Sequence, residues 1–315
     1  AEDYLKDNGG RKFVGTAYQE SADGLRGGFP RTLDAAIKNT SFECTLDYFK
    51  NSRYFTADLL TAMLKNIWDT AHYLTVYHSP NDNWRQHEFV SLLNTTLYIP
   101  EFKDAKSGEQ WQKLASDTLG DILFLNTMED GSYVESPTAY SVAALSDFSG
   151  FKSDMINMGA DVSAEYDERL LKNAYHNGML YFPDGSGLGY GDSSRIGVNY
   201  GTYKSVCDWY NAEDLRYITT LGAQGTKPGY TSYHWKDSRV TVMRNDWTVN
   251  SPYLFTNVRG GGSHGHADDN QIVLYAYGRE LLPDRGIFSY ATTGDLAELT
   301  KWGKSSLAHS TVVIN

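Results

Sequence analysis

Ser263-His264-Gly265-His266-Ala267-Asp268-Asp269-Asn270 leads straight into Gln271-Ile272-Val273-Leu274-Tyr275-Ala276-Tyr277. The first half is polar, follows Gly260 to Gly262, and holds two of the eight histidines of the chain. The second half is a β-branched and aromatic run that reads as a strand. A glycine-rich approach lets backbone and ligand come close, and the strand behind it offers a rigid platform. This junction decides the fold because it belongs to a change of character that begins near residue 225. Arg239 to Arg244, Tyr253 to Val258, Gln271 to Tyr277 and Thr311 to Ile314 are all short strand-like runs.

Upstream the period is helical. Residues 1–30 are polar and glycine-rich and read as an irregular lead-in, and from Arg31 the pattern turns helical. Tyr54 to His78 carries Leu59, Leu60, Met63, Leu64, Ile67, Trp68, Ala71 and Leu74 at helical spacing, until Pro80. A second helix is predicted from Asn83 to Pro100, and a third from Glu109 to Asn126. Tyr140 to Phe148, Glu165 to Leu180 and residues 203–222 follow. Helices first and strands later predict an α+β chain rather than a βαβ fold. The boundaries read as a helical region over 1–225 and an antiparallel sheet region over 226–315. Thr311-Val312-Val313-Ile314-Asn315 looks like a strand cut off mid-sheet, so the β part is expected to be incomplete.

The totals set limits. Among 315 residues, 41% are hydrophobic and 21% charged, ordinary values for a globular protein. Net charge is −11 and no Lys/Arg run occurs, which argues against nucleic acid as a partner. No apolar run reaches transmembrane length. Aromatics make up 14%, including 23 Tyr and 7 Trp, which suits either an aromatic core or stacking on sugar rings. Cys44 and Cys207 allow one disulfide or none. Pro183 to Asp192 is a glycine-rich turn region, but its spacing does not fit a dinucleotide loop.

Three constellations could carry chemistry. His264-Gly265-His266 could bind a metal, with Asp284 and His309 downstream as further ligands, or could be two polar loop histidines. Asn83-Trp84-Arg85-Gln86-His87 places an indole, a guanidinium, an amide and an imidazole at a helix start, or is an ordinary exposed N-terminus. Glu129 to Tyr140 is a turn leading into a helix, with Tyr140 either functional or a core tyrosine.

The order of these motifs resembles the heparinase II/III-like polysaccharide lyases. It runs from the helix with Gln86-His87, through Asp130-Gly131 and Ser136-x-x-x-Tyr140, to Pro183-Asp184-Gly185 and Gly191-Asp192. His264-Gly265-His266-Ala267-Asp268, Leu281-Leu282-x-Asp284-x-Gly286 and His309-Ser310-Thr311-Val312-Val313 complete it. The family includes heparin/heparan lyases and alginate lyases. The resemblance implies an incomplete α/α-toroid followed by antiparallel sheets. It implies Tyr140, His264, His87 and Gln86 as catalytic residues, with Gln86 standing where Asn is commoner. Trp84, Arg85, Arg259 and Tyr290 are candidates for contact with substrate. His266, Asp284 and His309 match the positions that hold a structural zinc, or similar divalent metal, in some members.

The implied reaction is β-elimination. A base removes the C5 proton of a uronic acid, the C4–O bond breaks, and the charge developing on the carboxylate must be stabilised. The expected partner is an anionic polysaccharide, with a glycosaminoglycan favoured over alginate and a homodimer left open. Neither nucleic acid nor membrane is expected. Such polymers are met outside the cytoplasm, so a secreted or periplasmic location is expected. A glycoside hydrolase remains open, with Asp130, Glu135 and Asp192 available as carboxylates. A non-catalytic carbohydrate-binding protein also remains open.

Overall fold

Helix α1, Thr32–Phe49, sets the pattern of the first part of the chain. Ala35 and Ala36 are buried against Tyr73 and Leu74, while Leu46 packs with Met63, Ile67 and Ile99. All these partners but Ile99 come from α2, Ala57–Val76, capped by the Thr56 side chain accepting from the Leu59 amide. The computed structural model describes residues 31–80, 82–103, 106–259 and 263–313, so the lead-in read at 1–30 lies outside the described residues. α3 spans Asp82–Tyr98, α4 is a short turn at Pro100–Lys103, and α5 spans Lys106–Asn126. Two compact units divide at Ile122/Leu123.

The second unit contains α6 at Thr138–Asn157, α7 at Ala164–Met179, α8 at Tyr200–Tyr210 and α9 at Glu213–Thr219. The single helix expected over 203–222 is therefore two. Asn211 adopts a left-handed conformation, φ 50°, which ends α8 and turns the chain. The strands follow: β1 Tyr233–Trp235, β2 Val240–Arg244, β3 Tyr253–Asn257, β4 Ile272–Ala276 and β5 Arg279–Leu282. They form one antiparallel meander in the order β1-β2-β3-β4-β5. Val242 pairs Phe255, and Phe255 pairs Val273, so all three share one face. That face packs on Met179, Leu180, Phe182, Leu188 and Tyr190.

The change from helices to strands falls between Thr219 and Tyr233, yet α6 to α9 share a compact unit with the sheet. Two features of the strand region depart from the sequence pattern. Residues 311–313 are not a strand; Ile272 N donates to Ser310 O at 2.9 Å, and the regular ladder goes no further. An additional helix, α10 at Asp295–Lys304, follows the sheet. Its apolar positions Leu296, Leu299 and Trp302 are part-exposed, and Ala297 and Gly303 are the residues it buries. A Cβ on Gly303 would lie 2.5 Å from the Phe288 ring. Cys44 and Cys207 are both free thiols.

Candidate active site

Two loops lie back to back beneath the site. A Cβ at Gly286, φ 63°, would fall 2.0 Å from Ser193 O, and one at Gly189 would fall 2.9 Å from Asp284 O. Only glycine allows that approach. The same loop anchors α6: Ser193 Oγ accepts from Ala139 N at 2.9 Å, and Thr138 Oγ1 donates to Leu188 O at 2.6 Å. Ser193 thus supplies the N-terminal capping bond that Pro137 cannot. The third residue of the helix so held is Tyr140.

Tyr140 Oη lies 2.7 Å from Tyr290 Oη, and its ring meets the His264 ring edge-on at a centroid distance of 4.8 Å. His264 is held from both ends. Nδ1 is 3.1 Å from Asp192 Oδ2, and Nε2 is 3.1 Å from Glu135 Oε2. Both ring nitrogens face carboxylates, which suits an imidazolium donating twice. The bonds to Asp192 and then Glu135 push the His264 pKa up to about 9, against an opposing effect of burial. Burial would raise the Asp192 pKa, but hydrogen bonds from His264, His266 and Lys304 outweigh it and hold the carboxyl well below its usual range. Tyr290 is pushed up, first by burial, then by its bond to Tyr140 and by the Asp192 charge. It therefore keeps its proton.

His264 and His266 point to different surroundings. His266 is buried, and its Nε2 meets Asp192 Oδ1 at 2.8 Å. That contact leaves Nδ1 without a hydrogen-bond partner. His309 and Asp284 are also buried, 3.6 Å apart between Nδ1 and Oδ2, beyond hydrogen-bond length. His309 Nδ1 and Nε2, Asp284 Oδ2 and both Asp268 carboxylate oxygens lack partners too. Unsatisfied buried polar atoms each cost about 1–3 kcal/mol, and a divalent cation would pair with them. A buried His, His, Asp donor set fits zinc, and the Asp192 contact to the far nitrogen of His266 is the usual outer-shell support of a ligating imidazole. Among the described residues, however, no three such side chains already converge on a common point.

The remaining candidates are placed by ordinary structural bonds. Arg259 Nη2 donates to Val134 O. In the first unit, Trp84 lies under the Arg31 guanidinium at 5.2 Å, and Arg85 Nη1 donates to Pro80 O at 2.6 Å. Gln86 is buried in α3 and His87 is half-buried beside it. The residues gathered in the second unit are Tyr140, Tyr290, His264 and the buried His266, Asp284 and His309. Asp192 and Glu135, nominated from sequence only as hydrolase carboxylates, prove to be the partners of His264. Lys304 carried no local signal, yet its Nζ lies 3.0 Å from Asp192 Oδ1.

The helical part matches Heparinase II/III N-terminus over residues 3–217, and the strand part matches Heparinase II/III-like, C-terminal over residues 243–315. The chain belongs to the heparinase II/III family. Heparin-sulfate lyases from Bacteroides thetaiotaomicron and Bacteroides stercoris are 27% and 24% identical to it, over 85% and 90% of this chain. The chain spans 42% and 43% of those relatives, less than half their length. A heparinase III crystal structure superposes with a TM-score of 0.85 at 21% identity, covering 100% of this chain and 51% of that one. Heparan sulfate lyase HepC from Pedobacter heparinus gives 0.69 at 23% identity, covering 90% and 45%. The heparinase fold, an α/α-toroid followed by antiparallel sheet, is therefore the fold of this chain.

Proposed function

We propose that the protein carrying this chain is a polysaccharide lyase that cleaves the C4–O bond of a uronic-acid polymer by β-elimination. The observation that carries this reading is the 2.7 Å Tyr140–Tyr290 hydrogen bond set against the His264 ring. In this reading Tyr140 moves the proton between C5 and O4, and Tyr290 donates to it. A tyrosine serving as base needs positive charge nearby, and the His264 imidazolium supplies it. The same charge would favour the enolate-like carboxylate that develops as the C5 proton leaves. A divalent metal bound by His266, Asp284 and His309 would hold the loop that carries His264, as a structural element outside the reaction.

A glycosaminoglycan is the favoured substrate class, because the curated relatives are named heparin-sulfate lyases; none of them supports the alginate alternative. Such a substrate goes with a secreted or periplasmic protein. The hydrolase reading needs two carboxylates free for separate roles. Glu135 and Asp192 each commit an oxygen to His264, and Asp130 binds the Asp237 and Ser238 amides.

The test is digestion of a panel of uronate polymers, followed by the ultraviolet absorbance of the unsaturated uronate. A lyase makes it and a hydrolase does not. Tyr140→Phe is expected to lower kcat by about 10²-fold or more. Full turnover in that variant would remove Tyr140 from the mechanism and favour a role in binding alone.

A further inference from the structure

The backbone of His264 is strained. Its φ and ψ are 54° and 32°, a left-handed conformation that a non-glycine residue adopts only when its surroundings impose it. Gly265, φ 79°, continues the turn. One residue of α10 bonds to this turn at two points. Lys304 Nζ donates to His264 O at 2.9 Å and contacts Asp192 Oδ1 at 3.0 Å. Lys304 O, an orphan carbonyl of the last helical turn, accepts from Ala267 N at 2.8 Å. The two ends of the loop from His264 to Ala267 thus bond to the ammonium and to the backbone carbonyl of a single residue. Asp192 receives Lys304 on one side and the His264 ring on the other, so ring and backbone of His264 are set by the same pair.

The helix is itself docked where this matters. Gly303 lets it approach Phe288, and Thr300 Oγ1 donates to Ser289 O at 3.0 Å, next to Tyr290. α10 therefore braces both the loop that carries His264 and the segment that carries Tyr290.

We infer that Lys304 is a positioning residue for the reaction: with Asp192 it holds the His264 backbone in its left-handed state and so aims the imidazole at Tyr140. This rests on the lyase reading above. The ammonium touches the backbone of His264 rather than the reacting atoms, so its loss acts through ring placement. Misplacing a catalytic group by about 1 Å costs on the order of 10²-fold in rate.

The experiment compares Lys304→Met, Lys304→Arg and Lys301→Met in the full-length protein. Lys301 lies on the same helix, exposed and paired with Glu298 at 2.7 Å, and its variant serves as the control. Lys304→Met is expected to lower kcat on the order of 10²-fold with KM within about threefold, Lys304→Arg to recover most of the loss, and Lys301→Met to match wild type. Unchanged kcat in Lys304→Met overturns the inference. So does a lowered melting temperature with normal kcat per folded molecule, which marks a purely structural link. A wild-type protein that makes no unsaturated product defeats the lyase reading instead. In that event a crystal structure of Lys304→Met decides alone: a His264 ring that leaves Tyr140 supports the positioning role, and an unmoved ring with φ still positive overturns it.

Discussion

Glu43 in the first unit and Asp192 in the second are buried to 1% and 5% exposure, yet they ionise in opposite directions. Glu43 Oε1 receives the Asn39 amide at 2.9 Å and the Thr95 hydroxyl at 2.6 Å, both neutral donors. Burial dominates there and pushes its pKa up to about 8, with the Thr95 bond opposing. Asp192 meets two imidazoles and an ammonium, and these overcome the same burial. Depth alone does not decide the charge of a carboxylate; the charge of its partners does. In the first unit the outcome is a neutral acid tying α1 to α3. In the second it is an anion around which a site is ordered.

The comparison breaks most visibly at Asp192. Asp192→Asn strips the buried anion from between Lys304 and the His264 imidazolium and leaves these two half-buried cations facing each other without it. The expected loss is about 3–5 kcal/mol of stability, with turnover falling alongside. Urea denaturation and the unsaturated-uronate assay check it, and an unmoved midpoint would show that the cluster is not organised by this charge.

A smaller effect separates the two histidines. His266→Ala is expected to lose bound metal and about 1–3 kcal/mol of stability, from polar groups left unpaired. His264→Ala is expected to keep metal and fold while losing turnover. Elemental analysis and thermal melts of both variants test this, and identical behaviour would dissolve the division of labour between them.

The smallest effect sharpens the other side of the comparison. Glu43→Gln keeps the neutral hydrogen-bonding shape, so stability near pH 4, where the native carboxyl is protonated in both states, is expected to shift by less than about 1 kcal/mol. Its value lies in pH dependence. The folded pKa, about 8, lies above the unfolded reference of 4.5, so the folded state binds the extra proton. The contribution of Glu43 is full below that reference and is lost as pH rises through about 8. Wild type should lose stability over that interval more than Glu43→Gln does. Parallel curves would mean that Glu43 is ionised when folded.

Most of the architecture could be read from period alone. Helical spacing of Leu59, Met63, Ile67 and Leu74 and the strand runs around Val242, Phe255 and Val273 report which faces are buried. The misses have physical causes. Asn211 breaks a helix through a left-handed turn that leaves the apolar pattern intact. α10 docks through an alanine and a glycine and carries exposed leucines, so no buried stripe of large residues announces it. Of the groups brought together at the candidate site, Tyr140 and His264 stand in the ordered motifs, and Tyr290 only follows the Asp284-x-Gly286 turn closely. Asp192 stood in a quoted turn, but its role depends on side chains 72 to 112 positions away. Lys304 reads locally as one more cation at a helix C-terminus.

The glycine contacts under the site also bear on how this fold can vary. Gly286 against Ser193 and Gly189 against Asp284 join two turns backbone to backbone. Neither turn can lengthen without prising the other away, and with it Asp192 and the start of α6. A change of loop length that leaves the histidines in place must therefore fall in segments free of this seam, while the turns beneath them keep a fixed length.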